Sequence, residues 1–159
     1  MEEETLLILD ASVAVKWFTM EPLRDKALII RNKYVDGELD LEAPSLLYYE
    51  VANALRYNPR FGIEEVRSAV RALEDLAITI YDFKGELASR AVELAYRFGI
   101  TVYDAAYVAL AAMRNATLYT ANKEVEKPEE LEEEEKVEEV EAAKPEEMEE
   151  GGEVDAGEA

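Results

Sequence analysis

Apolar residues come in two patterns along this chain, short unbroken runs and longer stretches at helical spacing. The run Leu6-Leu7-Ile8-Leu9 stops at a carboxylate, Asp10, and is followed by Ala11-Ser12. A continuous apolar run this short predicts a strand buried on both faces, as in a parallel sheet. Ser12 is expected to cap a helix from Val13 to about Phe18, with Asp10 ending the strand and helping the cap. Glu21-Pro22 ends that helix. Leu23, Ala27, Ile30 and Tyr34 then recur at helical spacing until Gly37. Leu39 to Ala43 reads as a short strand. Pro44-Ser45 opens a helix from Leu46 to about Arg56, with Leu47, Val51, Ala54 and Leu55 as its buried stripe.

After the break at Tyr57-Asn58-Pro59, Ile63 to Leu76 reads as a helix with Val66, Val70 and Leu73 inward. Ile78 to Tyr81 is a β-branched strand. Lys84 to Phe98 is a helix with Leu87, Ala91, Leu94 and Ala95 on one face, closed by Gly99. Ala105 to Met113 is apolar all round and rich in alanine, which predicts a buried, closely packed helix with Asp104 at its start, either as a plain N-cap or as a site residue. Thr117 to Thr120 is the last strand, ending in Ala121-Asn122-Lys123. The order β-α-α-β-α-α-β-α-α-β predicts a parallel sheet with helices on both faces.

Charge divides the chain. The net charge is −20 over 159 residues, but 17 acids against 3 lysines lie from Glu126 onward, a net of −14. The preceding 125 residues hold 20 acids and 14 bases, a net of −6. One domain over 1–125 is therefore expected, with an acidic tail over 126–159 that is disordered or loosely helical. No apolar run approaches the roughly 20 residues of a membrane span. The acidic start Met1-Glu2-Glu3-Glu4 does not resemble a signal peptide, and a cytoplasmic protein is expected. The chain has no Cys and no His. This excludes disulfides, thiolate or imidazole zinc sites, and Ser-His or Cys-His nucleophile mechanisms.

The remaining chemistry rests on oxygen. Asp10 ends a strand, where ligands bind in open α/β sheets. Glu50 lies three after Leu47 and four before Ala54, so it points along a core-facing stripe, where an unpaired carboxylate is costly. Asn53 follows one turn later. Asp104 opens a buried helix, and Asn122 follows a strand. In a parallel sheet the strand ends Asp10 and Asn122 fall on one edge, as do the starts of helices entered from that edge, and Asp104 joins them if its helix crosses over into the Thr117 strand. Carboxylates brought together there repel, and a divalent cation resolves the repulsion. Oxygen donors favour Mg²⁺ or Mn²⁺ over Zn²⁺. Such a site suits displacement at phosphorus, with the metal activating a water and screening the phosphate charge.

Four motifs sharpen this picture. Leu-Asp-Ala-Ser at 9–12, Tyr-Glu-Val-Ala-Asn-Ala-Leu at 49–55, Tyr-Asp-Ala-Ala-Tyr-Val-Ala-Leu-Ala at 103–111 and Tyr-Thr-Ala-Asn at 119–122 together resemble the PIN-domain family, VapC-type toxins above all. The resemblance spans residues 5 to about 125. It implies a three-layer α/β/α sandwich with a central parallel sheet, and a Mg²⁺- or Mn²⁺-dependent endoribonuclease. It also implies a homodimer inhibited by a cognate antitoxin. Carried over by position, Asp10, Glu50 and Asp104 are the catalytic metal-site acids, Ser12 and Thr120 supporting hydroxyls, and Asn53 a polar group near Glu50. Asn122 stands where the family usually has Asp; an amide oxygen still ligates but brings no charge. The family also commonly adds a helix and a short strand where this chain turns acidic.

Two other readings remain open at this level. One is a catalytically weak or inactive PIN-like module that binds an antitoxin or RNA. The other is a phosphate-handling α/β domain with Asp10 as phosphoacceptor, disfavoured because Ser12 stands where such phosphatases carry a second Asp. Lys16, Arg56, Arg114 and Lys123 are the candidate phosphate contacts, and Trp17, Tyr48 and Tyr57 the candidate aromatic surface. The acidic tail is expected either to solvate the chain or to compete with RNA for basic residues on the body.

Overall fold

The computed structural model describes residues 5–121. Four parallel strands, β1 (Thr5–Leu9), β2 (Leu39–Pro44), β3 (Thr79–Tyr81) and β4 (Thr117–Tyr119), form one sheet in the order β3-β2-β1-β4. Helices α1 (Ala11–Lys16), α2 (Arg24–Val35), α3 (Leu46–Arg56), α4 (Ile63–Asp75), α5 (Gly85–Phe98) and α6 (Val102–Arg114) connect them. The element order is the one predicted. Asn122 and the expected acidic tail lie outside the described residues.

Alternation along the strands sorts the layers. Leu7 and Leu9 of β1 pack with Leu39, Leu41 and Ala43 of β2 and with α1 to α4. Ile8 and Leu118 point the other way, into a core made with α5 and α6. The result is the three-layer α/β/α sandwich. Every residue of α6 from Ala105 to Ala111 is buried, as its all-round apolar sequence requires. Its alanines let the backbone lie close to the sheet. Asn115, in the left-handed region at φ 50°, turns the chain straight into β4. Because only two residues join α6 to β4, α6 ends at the edge where β4 begins. Its first turn, with Asp104, therefore lies toward the carboxyl edge of the sheet.

Several local expectations are corrected. Asp10, not Ser12, is the N-cap of α1, because the shorter path from a strand-end carboxylate reaches the first turn. Thr101, not Asp104, caps α6; its hydroxyl accepts the Asp104 amide at 3.0 Å. Ala54 is exposed, while Leu47, Val51 and Leu55 are buried as expected. On α4, Ala69 and Leu73 are buried, and Val66 and Val70 only half-buried. Trp17 is no surface aromatic: it is 4% exposed, and its indole N–H donates to the Ala27 carbonyl at 2.8 Å.

Arg114 is likewise committed within the fold. Its guanidinium donates to both oxygens of the buried Glu42, at 2.7 and 3.2 Å, and lies over the Tyr81 ring. Glu42 faces α6 from β2, so this fork ties the two layers. Removing the arginine strands a carboxylate that is 8% exposed. Arg114→Met is expected to lower stability by about 1–2 kcal/mol, a value reduced for the solvent-facing side of the pair. The shift in the urea midpoint measures it, and an unchanged midpoint would refute the tie.

Among the described residues no helix is long and apolar enough to cross a membrane.

Candidate active site

The carboxyl edge of the sheet collects the site. Asp10 leaves β1 with extended backbone (φ −84°, ψ 149°), and its amide donates to the Tyr119 carbonyl at 3.1 Å. One carboxylate oxygen, Oδ2, takes three donors. These are the Ser12 amide at 3.3 Å, the Ser12 hydroxyl, and the Thr120 hydroxyl at 3.0 Å. Ser12 Oγ also accepts the Ala121 amide at 3.0 Å. The start of α1 and the end of β4 are thus fastened together by a small network in which one oxygen of Asp10 takes the most donors.

Glu50 arrives from the second turn of α3 and is half-buried. The Tyr107 hydroxyl, on α6, donates to Glu50 Oε1 at 2.6 Å. Burial and the neighbouring Glu50 carboxylate push the Tyr107 pKa far above its ordinary value, and the Asp10 charge adds to the effect. Tyr107 therefore keeps its proton and acts as a permanent donor. The charges of Glu50 and Asp10 therefore both act on this one hydroxyl. Asp104 stands one turn before Tyr107 on the same side of α6, half-buried, at the positive end of the helix.

Among the described residues, no three acidic side chains lie close enough to enclose a metal ion. The donor chemistry itself fits a hard cation: carboxylates and hydroxyls are present, and the chain has neither imidazole nor thiolate. Asn122 falls outside the described residues. Asn53, one turn after Glu50, is exposed.

Beside these groups lies a cleft of about 300 Å³ lined by Ser12, Lys16, Glu21, Glu50, Asn58 and Ala121 among others. Lys16 Nζ sits 3.6 Å from Glu21, whose other oxygen accepts the Thr19 hydroxyl at 2.6 Å. Sequence reasoning passed over two of these residues. Tyr107 sat in a quoted motif without a role; its signal was a phenol inside an otherwise apolar helix, which must find a partner when buried. Glu21 read only as a helix end.

A family model described as the PIN domain matches residues 7–131. The chain belongs to the VapC-type PIN-domain family. Ribonuclease VapC3 of Pyrobaculum aerophilum is 32% identical over 124 residues, covering 75% of this chain and 91% of that protein. Ribonuclease VapC9 of Mycobacterium tuberculosis is 38% identical over 85 residues, covering 52% of this chain and 65% of the relative. Among solved structures, VapBC2 from Rickettsia felis, bound to a DNA fragment from its promoter, aligns with a TM-score of 0.57 at 18% identity. That match covers 77% of this chain and 90% of the solved chain. VapC20 of Mycobacterium tuberculosis, a toxin that cleaves the sarcin-ricin loop, aligns with a TM-score of 0.57 at 13% identity, covering 72% and 88%. At these identities the structural likeness is one of fold.

Proposed function

We propose that this PIN domain is a Mg²⁺- or Mn²⁺-dependent endoribonuclease, the toxin of a VapBC-type toxin–antitoxin pair. One observation carries the reading: the Tyr107 hydroxyl holds Glu50 at 2.6 Å within the field of Asp10, at the carboxyl edge of a parallel sheet. The ribonuclease names of the VapC relatives support it. Asp10, Glu50 and Asp104 are the residues that would hold the cation, with Asn122 contributing an amide oxygen. When bound, the metal would supply activation of water and neutralisation of phosphate charge.

The chain's own residues do the positioning. Ser12 and Thr120 hold the Asp10 carboxylate in one orientation. Tyr107 keeps its proton and fixes the Glu50 oxygen it donates to. Lys16, in the cleft, stands 3.6 Å from Glu21, and a bound phosphate would compete with that carboxylate for its ammonium. In this reading residues 1–125 are the nuclease domain, acting in the cytoplasm as a homodimer held in check by a cognate antitoxin, and 126–159 are an acidic tail.

The test is calorimetric titration of Mg²⁺ and Mn²⁺ into the wild type and Asp104→Asn, followed by cleavage of a mixed RNA substrate. Saturable binding by the wild type, weakened about tenfold or more in the variant, is the expected result. The lack of a three-acid cluster among the described residues favours a second reading, a PIN-like module that binds antitoxin or RNA without cutting. Wild type that binds neither cation and leaves RNA intact would select it.

A further inference from the structure

A second surface shares no lining residue with the cleft beside the carboxylates. Where α3 turns into α4, a groove of about 810 Å³ has an apolar floor that includes Phe61, Val66 and Val70, and a rim of Arg56, Arg67 and Arg71. Such a surface suits an apolar segment studded with carboxylates. Arg67 shares an exposed ion pair with Glu64 at 2.7 Å, and Arg56 stacks over the Tyr57 ring. Among the described residues, no ion pair engages Arg56 or Arg71. In a chain with a net charge of −20, three arginines around one apolar floor need a reason.

We infer that this groove receives the chain's own acidic segment, residues 126–150. Three observations favour that occupant. The segment's composition matches: Leu131, Val137, Val140 and Met148 are interleaved with glutamates, so apolar side chains meet the floor while carboxylates meet the rim. A bare phosphate backbone would leave the apolar floor unused. Position matches as well. The described residues end at Ala121, which lines the same cleft as Ala54 and Asn58, and the end of α3 that borders this cleft carries Arg56 to the groove on its other side. The 29 residues from 122 to 150, each spanning at most about 3.5 Å, give the chain ample length to pass round one helix to the rim. Finally, tethering holds the segment at an effective concentration in the millimolar range, which a separate acidic partner must exceed. This inference stands apart from the ribonuclease reading and needs no catalysis.

The experiment uses the full chain. It has no cysteine, so Ser68→Cys on α4 and Ala143→Cys place two nitroxide labels cleanly. Pulsed electron–electron dipolar spectroscopy then reads the distance between them. At about 50 mM salt a distribution at least twofold narrower than at about 500 mM is expected, since screening weakens exposed pairs. The same broadening is expected at low salt when Arg56, Arg67 and Arg71 are all changed to serine. All three are exposed, so an unchanged melting temperature is the check that this variant folds. A distribution that ignores both salt and the arginine changes overturns the inference and leaves the groove to another occupant, RNA included. A mixture of the two singly labelled chains that gives the same distance also overturns it, because the segment would then cross to a second copy.

Discussion

Asp10→Asn is expected to reduce RNA cleavage by about 100-fold or more while leaving the fold intact. The two halves of this expectation come from different atoms. Oδ2 of Asp10 accepts the Ser12 amide, the Ser12 hydroxyl and the Thr120 hydroxyl. An asparagine oxygen can take the same three donors, and asparagine is as good an N-cap as aspartate. The start of α1 and its link to β4 therefore survive. What disappears is the charge, together with the second carboxylate oxygen, and a hard cation responds to both. The measurement pairs initial rates at saturating Mg²⁺ with a thermal melt. Cleavage at the wild-type rate by the folded variant would remove Asp10 from the chemistry. A large fall in melting temperature would mean that the carboxylate is mainly structural.

Leu110→Ala carries the largest expected effect on stability. Leu110 lies on α6 with no exposed surface, in the core shared with Ile8 and Leu118. Truncation removes apolar contacts and leaves a cavity that the closely packed alanines around it cannot fill. The expected loss is about 2–5 kcal/mol, or roughly 10 °C in melting temperature. Tyr96→Ala is the matched control. Its side chain is 87% exposed, and its removal should change stability by less than about 0.5 kcal/mol. Calorimetric melts of both variants check the pair. Similar losses in the two would mean that α6 is not the stabilising centre of its layer.

Much of the candidate site was legible before the fold was known. Asp10 announced itself by ending an apolar run, and Glu50 by sitting on a helix's buried stripe. Asp104 stood at the mouth of an apolar helix. Each signal is read from a few neighbouring residues, because strand burial and helix faces repeat over two to four positions. Tyr107 was harder. Its partner Glu50 is 57 residues away, and no local period connects α3 to α6. Trp17 misled for the same reason: nothing nearby reveals that α2 covers it and that the Ala27 carbonyl takes its N–H.

The order of strands and helices, the parallel sheet and the carboxyl edge at which Asp10 stands all follow from periodicity, punctuation and the rule that parallel strands share a carboxyl edge. Folding decided who meets whom. The β3-β2-β1-β4 order sets β4 against β1, so Thr120 reaches Asp10 across 110 residues. It places α6 against β2, so Arg114 is spent on Glu42 rather than offered to a phosphate. It also carries the Tyr107 hydroxyl to Glu50. Hydrogen bonds and ion pairs act over about 3 Å in space, without regard to separation along the chain, so local pattern names the groups and only the packing of layers pairs them.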